Sequence, residues 1–431
     1  MANFKTASEA IDWINGARWK GEKRGLENTR ALLERLEHPE RAIGRIVHVA
    51  GTNGKGSVSA FIASALMETG ARVGLFTSPY LCRFNERIVL NGQPISDDLL
   101  LSAASKVYDA ATDLHLQGIS ATTFELLTAT ACVCYAAAHT DYAVMEVGMG
   151  GRLDATNALP TSVSVIARIG LDHMQSLGET VELIAAEKAG IMRSGVPAVV
   201  MPQEPGIMEV FSSIAKQVGA PYYVSDLPRL TAADEKGCAF VCALPDGTSI
   251  SQRINMPGLF QADNACLALT ALSVLGIDTA KAQKGVSEAF WAGRLDKRGN
   301  VLIDCAHNPQ GATALKEYLD RFFAGRRKVL LTGMMRDKQL EACAAIFSGF
   351  ADKVVTTQVD WPRAIPSIEL KQFYSEDAVS EPDLSRAFEL AKALAGEDGL
   401  VICAGSVYLA GAVLTLLNEN QFSLKKNVQN Q

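Results

Sequence analysis

The chain has 431 residues, of which 48% are hydrophobic and 20% are charged, and its formal net charge is −6. Its size suggests roughly two or three domains, and an acidic chain without a basic tract is not expected to bind nucleic acid or an anionic membrane. Because no apolar run reaches about 18 residues and the N-terminus lacks the basic and apolar regions of a signal peptide, we expect a cytoplasmic protein.

The nine cysteines include no C-x-x-C pair, and most lie in apolar runs such as TATACVCYAAA. A zinc site requires cysteines or histidines clustered at short spacings, and the sequence has no such cluster. We therefore expect buried, unpaired thiols in a reducing compartment.

The first elements predicted in chain order are two helices, a strand and a third helix. ASEAIDWINGA and LENTRALLERLEH carry apolar residues at helical spacing, and RIVHVAG has the β-branched, apolar character of a buried strand. From Ser57 to Gly70 the apolar residues lie at i, i+3, i+4, i+7 and i+8. This spacing predicts an amphipathic helix that ends at Gly70.

The segment HVAGTNGKGS joins this strand to this helix. It differs from the common P-loop, because two residues instead of four separate its first two glycines and a third glycine separates the lysine from the serine. Unpaired N–H groups and the helix dipole favour an anion at a helix start. The loop is therefore predicted to hold phosphates, and the alternative is a glycine turn with an exposed lysine. Its residues are Gly51, Thr52, Asn53, Gly54, Lys55, Gly56 and Ser57.

Further strands are predicted in ARVGLFTS, DYAVMEVG, SVSVIARI and VPAVVMP, alternating with helical stretches. This alternation predicts an α/β fold with a doubly wound, mainly parallel P-loop ATPase domain, and residues 222–256 are interpreted as hairpins at its edge. A second α/β series begins near residue 300 with NVLIDCAH, KVLLTGMM, KVVTTQV and GLVICAGS. The polar segment WAGRLDKRGN is the linker candidate. We therefore predict a P-loop ATPase domain over 1–296 and a smaller Rossmann-like domain over 297–431.

Two predicted strands are followed by groups that can bind a metal. Glu146 ends DYAVMEVG, and Asp172 and His173 follow SVSVIARI. Since adjacent parallel strands end at one edge of a sheet, Glu146 and His173 are predicted to ligate a metal together. The alternatives are an ion pair between Glu146 and Arg152, and a structural role for His173.

Several motifs occur along the chain in the order HVAGTNGKGS, TSPYL, FNERI, TTFE, MEVGMGGRLDATN, LDHMQSLG, EKAGIM, DNA, GRLD and DCAHNP. This order resembles that of folylpolyglutamate synthases and the related bifunctional dihydrofolate synthases, which belong to the ATP-dependent Mur ligase superfamily. Each motif alone is weak, whereas EVGMGGRLDATN together with DCAHNP is highly specific. The resemblance extends from GLENTRALLERL to VICAGSVYLAG, and it identifies the variant loop as the phosphate loop of this family.

The resemblance implies that the glycine loop holds the phosphates of ATP, with Lys55 as a catalytic residue. One Mg²⁺ would be bound by Ser57 and Glu146. A second would be placed by Ser78 and by His173, which is also implied to be catalytic. Further nucleotide contacts are implied for Asn264, Arg294, Asp304 and His307.

Lys188 lies in the helical segment TVELIAAEKAGIM, next to Glu187. On residue types alone the two are interpreted as a solvated charge pair. The resemblance instead implies that Lys188 is catalytic and carbamylated. An ammonium group would repel Mg²⁺, whereas its CO₂ adduct is a carboxylate and supplies a hard oxygen ligand.

The resemblance also implies a pterin pocket, in which an aromatic face can stack on the flat ring. Thr123 stands where the family often has tyrosine or phenylalanine, and Tyr80 stands where it often has histidine. Both departures concern the acceptor side and therefore bear on which acceptor is used. The implied pocket residues are Thr122, Phe124, Arg152, Leu153 and Asp154.

The implied reaction is ATP-dependent amide ligation. A carboxylate of the acceptor attacks the γ-phosphate of ATP, and the amine of L-glutamate then attacks the resulting acyl phosphate. Because an acyl phosphate is easily hydrolysed, a cleft between the two domains is expected to close over it. The expected partners are thus small molecules, and the family resemblance favours a monomer.

The acceptor is interpreted as both dihydropteroate and reduced folates. A monofunctional folylpolyglutamate synthase is the alternative within the family. Another Mur-type amino-acid ligase is disfavoured by the residues of the motifs and by their order. A P-loop regulatory ATPase is disfavoured because it would need neither a metal-binding carbamate nor a second nucleotide-binding domain.

Overall fold

The structure is a computed structural model that describes residues 4–17 and 25–429, with side chains described up to residue 418. In this part of the chain an eight-stranded sheet and a three-stranded sheet precede a six-stranded sheet. No helix in the described ranges has the length and apolar character needed to cross a membrane. The predicted α/β class with two successive domains is confirmed.

The first eight strands form one sheet: β1 (Arg45–Ala50), β2 (Val73–Phe76), β3 (Ile88–Leu90), β4 (Gln93–Pro94), β5 (Tyr142–Glu146), β6 (Thr161–Ile166), β7 (Ala198–Val200) and β8 (Tyr222–Val224). Their order across the sheet is β4-β3-β2-β5-β1-β6-β7-β8. β3 and β4 add antiparallel pairings at one edge, and the remaining neighbours are parallel. The strands predicted in this domain are confirmed as β1, β2, β5, β6 and β7.

Helices cover both faces of this sheet: α1 (Ala7–Gly16), α2 (Glu27–Arg35), α3 (Lys55–Met67), α4 (Asp97–Leu116), α5 (Thr123–Ala137), α6 (Met174–Leu177), α7 (Val181–Ala189), α8 (Pro205–Val218), α9 (Gln261–Val274) and α10 (Thr279–Glu288). The apolar residues of α1, α2, α4 and α5 form the core on one face, and those of α7 and α8 form a smaller cluster near β6 and β7. α3, α9 and α10 form the core on the opposite face.

The helix after the glycine loop differs from its prediction in its bounds and in its surroundings. α3 begins at Lys55, two residues before the predicted start, and ends at Met67. Its predicted apolar face is buried, and most of the opposite side is buried as well, because α9 and α10 cover it. The predicted helix is confirmed, but its surroundings are not those of an amphipathic surface helix. The buried residues outside the predicted apolar face are Gly56, Ser57, Ser59, Ala60 and Ala63.

The segment predicted to form hairpins divides into two parts. β8 pairs in parallel with β7 and so extends the large sheet, which corrects the hairpin prediction for that stretch. The following strands form an antiparallel three-stranded sheet whose inward side packs against α9 and joins the core of the domain. These strands are β9 (Arg229–Asp234), β10 (Gly237–Ala243) and β11 (Ser249–Ile254).

The second α/β unit contains β12 (Asp296–Arg298), β13 (Val301–Ile303), β14 (Lys328–Thr332), β15 (Lys353–Thr356), β16 (Val379–Ser380) and β17 (Leu400–Ala404). Their order is β12-β13-β17-β14-β15-β16, and only β12 is antiparallel to its neighbour. The predicted boundary at 296/297 lies inside β12. The helices are α11 (Pro309–Phe322), α12 (Leu340–Ser348), α13 (Ser367–Lys371), α14 (Leu384–Ala395) and α15 (Val407–Gln429).

Helices lie on both faces of the six-stranded sheet. α11 and α12 contribute to the core on one face, and α14 and α15 contribute to the core on the other. All nine cysteines are free thiols, and eight of them are buried, as predicted, while Cys82 is half-buried. The carboxyl ends of the central strands of both sheets lead into the cleft between the domains, where the predicted site residues lie.

Candidate active site

The cleft between the two domains contains two adjoining cavities. The smaller one, of about 280 Å³, is lined by residues 51–57 and is called the loop cavity below. The other, of about 720 Å³, is lined by Phe124 and by residues 148–155 and is called the large cavity. His173 of the N-terminal domain and His307 of the C-terminal domain line both cavities, which therefore meet at these two side chains.

Every site residue predicted from the sequence lines one of the two cavities. The loop cavity contains Gly51, Thr52, Asn53, Gly54, Lys55, Gly56, Ser57, Ser78, Glu146, His173, Lys188, Asn264, Arg294, Asp304 and His307. The large cavity contains Thr122, Phe124, Arg152, Leu153 and Asp154, and it also includes Ser78, His173 and His307. The fold thus brings together residues that lie up to about 250 positions apart, while their individual roles stay predictions.

The glycine loop has a backbone that a larger residue would not tolerate. Gly54 has φ +88°, and a Cβ there would lie 2.4 Å from Oδ1 of Asn264. α3 begins at the next residue, so its first N–H groups face the loop cavity. Lys55 curls back and donates from Nζ to the carbonyls of Gly51 and Thr52, at 3.1 and 3.2 Å. These bonds leave the ammonium at the cavity, where it can exchange carbonyl for phosphate oxygens.

The hydroxyl of Ser57 is held by a residue that the sequence reasoning missed. Nε2 of Gln261 donates to Oγ of Ser57 at 3.2 Å, and Oε1 of Gln261 accepts from Nδ2 of Asn264 at 2.8 Å. Gln261 and Asn264 are both buried and stand three positions apart on α9. That spacing, in the segment QADNA, was the available sequence signal.

Glu146 ends β5 and is almost fully buried. The N–H of Ser78 donates to its Oε2 at 3.1 Å. Burial raises the pKa of Glu146, although the charge of Lys55 and the N–H of Ser78 oppose this shift. The alternative of an ion pair with Arg152 is wrong, because Arg152 binds Glu187 at 2.8 Å instead.

Lys188 is 5% exposed on α7. Its ammonium makes no hydrogen bond or ion pair with any residue that the structure describes, whereas the neighbouring Glu187 binds Arg152. The interpretation of a solvated charge pair is therefore wrong. Burial, and then repulsion by Lys55, lower the pKa of Lys188 to about 7, against the attraction of Asp172.

Asp172 connects the two domains at the point where the cavities meet. Nζ of Lys338 donates to its Oδ1 at 2.8 Å, and Nε2 of His307 lies 3.6 Å from its Oδ2. Burial alone would raise the pKa of Asp172, but His307 and Lys338 hold it well below its usual range. His173, the next residue, adopts φ +51°, and its side chain is 39% exposed. Partial burial lowers the pKa of His173.

The C-terminal domain reaches the loop cavity through the turn after β13. Both oxygens of Asp304 accept backbone N–H groups, from Leu295 at 2.9 Å and Ala306 at 2.8 Å. Burial raises the pKa of Asp304, against the charge of Arg294. Asn308 donates from Nδ2 to Oδ1 of Asn53 at 3.1 Å, so the glycine loop itself contacts this domain.

The large cavity combines an aromatic face with a hydrogen-bonded carboxylate. Phe124 packs so closely on Gly148 that a Cβ there would lie 2.5 Å from its ring. Asp154 accepts from the N–H of Met149 and of Thr156, both at 3.0 Å, and from Oγ1 of Thr156 at 2.6 Å.

The two departures from the expected motif do not line either cavity. Thr123 donates from Oγ1 to the carbonyl of Ala17 at 2.8 Å, so it binds the end of α1. Tyr80 lies beneath the guanidinium of Arg87, whose carbon is 5.0 Å from the ring centroid. Neither side chain is among the described residues that line the cavities.

Comparison with known proteins identifies the family. Residues 49–272 match the Mur ligase middle domain, and residues 293–407 match the Mur ligase glutamate ligase domain. The dihydrofolate synthase/folylpolyglutamate synthase of Bacillus subtilis is 34% identical, with 94% of this chain and 97% of that protein covered. The chain belongs to this family of Mur ligases. It is an ATP-dependent ligase.

Two solved structures resemble the ligase over nearly its whole length. Escherichia coli FolC in complex with DHPP and ADP is 28% identical with a TM-score of 0.87, covering 97% of this chain and 99% of that chain. A bifunctional folylpolyglutamate synthase/dihydrofolate synthase with Mn, AMPPNP and L-glutamate bound is 28% identical with a TM-score of 0.84, covering 96% and 98%. The family resemblance inferred from the motifs is thereby confirmed.

The loop cavity of the ligase suits a magnesium ion that is shared with a nucleotide. Among the described residues no three His, Cys, Asp or Glu side chains are clustered closely enough to hold a metal by themselves. The cavity offers the buried carboxylate of Glu146 and the hydroxyl of Ser57. Mg²⁺ commonly takes one or two protein carboxylates and completes its shell with phosphate oxygens and water, so these groups fit it.

Proposed function

We propose that the ligase adds L-glutamate to two acceptors, dihydropteroate and reduced folates that already carry glutamate. The observation that carries this proposal is the junction of the two cavities at His173 and His307, since an acceptor in the large cavity could present its carboxylate to a phosphate in the loop cavity. The Bacillus subtilis and Escherichia coli relatives are both named dihydrofolate synthase/folylpolyglutamate synthase, which favours both acceptors.

The loop residues 51–57 would hold the triphosphate of ATP by their N–H groups. Lys55 would release the carbonyls of its own loop and bind the terminal phosphate oxygens. The reaction brings an acceptor carboxylate against a triphosphate, and the resulting repulsion must be neutralised for phosphoryl transfer to proceed. The remaining nucleotide contacts are assigned to Asn264, Arg294, Asp304 and His307.

The proposed metal ligands are Ser57 and Glu146 at one position, and Ser78, His173 and Lys188 at a second. Bound Mg²⁺ would supply positive charge to the phosphate oxygens. The raised pKa of Glu146 supports this assignment, because a buried carboxylate that lacks a close cationic partner is one that a cation would stabilise. Gln261 would hold Ser57 in place from the side away from the cavity.

Carbamylation of Lys188 is proposed because an isolated buried ammonium beside Lys55 is unfavourable. Its neutral Nζ would attack dissolved CO₂, forming a C–N bond and releasing one proton. The product is a carboxylate, which replaces a buried positive charge by a negative one facing Lys55. The lowered pKa of Lys188, about 7, provides the neutral amine that this step requires.

The acceptor ring is assigned to the large cavity, between Phe124 and Asp154. An aromatic face and a carboxylate suit a flat ring that carries N–H donors at its edge. Thr122, Arg152 and Leu153 would complete the pocket.

The C-terminal domain would close the site over the acyl phosphate and exclude water. The contacts of Asp172 with Lys338 and of Asn53 with Asn308 join the domains directly beside the loop cavity. Such a closed cleft protects an acyl phosphate from hydrolysis until the amine of glutamate attacks it. ATP hydrolysis without an acceptor should accordingly be slow.

The function is tested by phosphate release and product analysis with purified protein, ATP and L-glutamate. We expect amide products with dihydropteroate and also with tetrahydrofolate. Activity with tetrahydrofolate alone would identify a monofunctional folylpolyglutamate synthase, and activity with neither would contradict the folate reading. Phosphate release that needs no acceptor and no glutamate would instead support a regulatory ATPase. The monomeric state, the cytoplasmic location and the domain boundary stay predictions.

A further inference from the structure

A fully buried histidine stands behind the large cavity without lining it. His48 lies in β1 and has no exposed surface. Its Nε2 is 2.8 Å from Oγ1 of Thr156, and that hydroxyl is 2.6 Å from Oδ1 of Asp154. Two consecutive hydrogen bonds therefore connect the central strand of the sheet to a carboxylate at the cavity wall.

Which group donates in the His48–Thr156 and Thr156–Asp154 bonds follows from the number of protons that these side chains carry. Asp154 accepts an N–H on each of its oxygens, from Thr156 and from Met149, which favours its ionised form. The short distance between Thr156 and Asp154 requires a proton between them, and the hydroxyl has only one. Thr156 thus donates to Asp154 and must accept from His48, so the proton of the neutral imidazole is on Nε2.

The other ring nitrogen agrees with this direction. Nδ1 of His48 is buried and has no hydrogen-bond partner within the described structure. In the Nε2–H tautomer it is an unpaired acceptor, whereas the reverse direction would leave an unpaired N–H donor and set two acceptor oxygens 2.6 Å apart. Burial, together with the charge of Arg193, lowers the pKa of His48 to about 3, so the ring is neutral near pH 7.

We infer that His48 is a positioning residue for the acceptor. Its N–H fixes the hydroxyl of Thr156, and this hydroxyl holds the Asp154 carboxylate in one orientation at the wall of the large cavity. The inference rests on the proposed function in one respect, namely that the acceptor ring binds beside Asp154. The chemical class recognised is a flat heterocycle with N–H donors at its edge.

The test measures binding to the full chain, with dihydropteroate and ATP titrated separately. His48→Leu removes the donor at similar volume, and His48→Gln retains an N–H near the position of Nε2. Loss of a hydrogen bond that supports a buried charge typically costs about tenfold in an equilibrium constant. We expect the Kd for dihydropteroate to rise about tenfold in His48→Leu and less than about threefold in His48→Gln, with the Kd for ATP unchanged in both.

Thr156 provides the second arm of the test. Thr156→Val removes the hydroxyl, and Thr156→Ser keeps it as the matched control. We expect the valine variant to bind dihydropteroate at least as weakly as His48→Leu, and the serine variant to bind like wild type. The double variant His48→Leu/Thr156→Val should bind no more weakly than Thr156→Val alone, because the two changes break the same chain of bonds.

Three results would overturn the inference. The first is an unchanged Kd for dihydropteroate in His48→Leu, and the second is an equal rise in the Kd for ATP. The third is a Kd for dihydropteroate in the double variant that rises by the product of the two single effects. If His48→Leu does not fold, equal dihydropteroate affinity of Thr156→Val and Thr156→Ser would overturn it. Nitrogen NMR of labelled histidine should report the Nε2–H tautomer without any ligand, and the opposite tautomer refutes the inference. Wild-type protein that fails to bind dihydropteroate would instead refute the proposed function, before any variant is made.

Discussion

The two cavities differ in how far their ionisable groups are paired with other groups of the protein. In the loop cavity, burial raises the pKa of Glu146 and of Asp304 and lowers that of Lys188, so each group is shifted towards its uncharged form. In the large cavity, Asp154 accepts three hydrogen bonds and Arg152 binds Glu187. A charged ligand would therefore stabilise Glu146, Asp304 and Lys188 in the loop cavity, whereas Asp154 and Arg152 in the large cavity have partners within the protein.

The difference follows from where the partners lie in the chain. The donors to Asp154 come from residues within five positions of it, so a single turn supplies them. Glu146 and Lys188 come from separate elements, and Lys55, whose charge acts on both, binds its own loop instead. A site assembled from distant elements can leave charges unpaired for a ligand, at a cost in stability that ligand binding offsets.

The strongest way to break this comparison is to remove the isolated lysine. Lys188→Ala should lower turnover by at least about 100-fold, because the proposed carbamate would no longer supply an oxygen ligand to the metal. Short carboxylic acids such as formate or acetate should restore part of the activity by replacing the carbamate. Turnover and its magnesium dependence are the measurements.

Lys284→Ala, which breaks an exposed pair with Glu68, is the matched control and should leave both unchanged. Near-normal activity of Lys188→Ala with ordinary magnesium dependence would refute the carbamate.

The second prediction concerns the charge pair at the junction of the cavities. Lys338→Met removes the lysine from its pair with Asp172, in which the side chains are 11% and 14% exposed. Asp172 then keeps its longer contact with His307. We expect a loss of about 2 kcal/mol in stability, measured as a lower midpoint of thermal unfolding. The control is Lys316→Met, which removes an exposed pair with Asp320 on α11 and should cost less than about 0.5 kcal/mol. Equal midpoints for the two variants would show that the interdomain pair is no stronger than a surface pair.

The third prediction concerns His48, which lies behind the large cavity, and its effect on how the free energy of unfolding depends on pH. The pKa of His48 is about 3 in the folded chain and 6.5 by reference, so between these values the unfolded state binds a proton that the folded state does not. Stability must then fall as pH falls below about 6.5, and the loss reaches about 2 kcal/mol at pH 5. His48→Gln lacks this titration and should have the shallower profile in unfolding experiments from pH 7 to 5. Parallel profiles for the two proteins would mean that His48 is protonated in the folded state.

The smallest expected effect concerns Phe124 in the large cavity, where the acceptor ring is proposed to bind. Phe124→Leu should weaken dihydropteroate binding by about fivefold through loss of ring stacking, while ATP binding stays unchanged. Phe290→Leu is a suitable control, since Phe290 is 63% exposed and lies outside the residues that line the cavities. Separate titrations of the two ligands provide the measurement. A matching loss of ATP affinity would show that the cavities are not independent.

Much of the site could be predicted because it lies next to regular elements. The run RIVHVAG, the glycines after it and the apolar spacing from Val58 predicted a strand, a loop and a helix from neighbouring residues alone. The same reasoning located Glu146 and His173 after parallel strands, and the structure brings both to the loop cavity. The three-residue spacing of Gln261 and Asn264 could indicate only that these two side chains pair with each other. That Gln261 reaches Ser57 and that Lys338 binds Asp172 could not be predicted locally, because these partners are about 200 and 170 positions apart.

The sequence by itself determined the family, the order of strands and helices, and which residues gather in the cleft. These features depend on periodicity, turn residues and motif order, all of which are properties of neighbouring positions. Only the tertiary structure decided that α3 is covered on both sides, that Lys188 is buried, and that His48 bonds to Thr156 beside Asp154. Burial and the choice of hydrogen-bond partner depend on which distant segments pack together, and this packing also determines the energies of the buried charges.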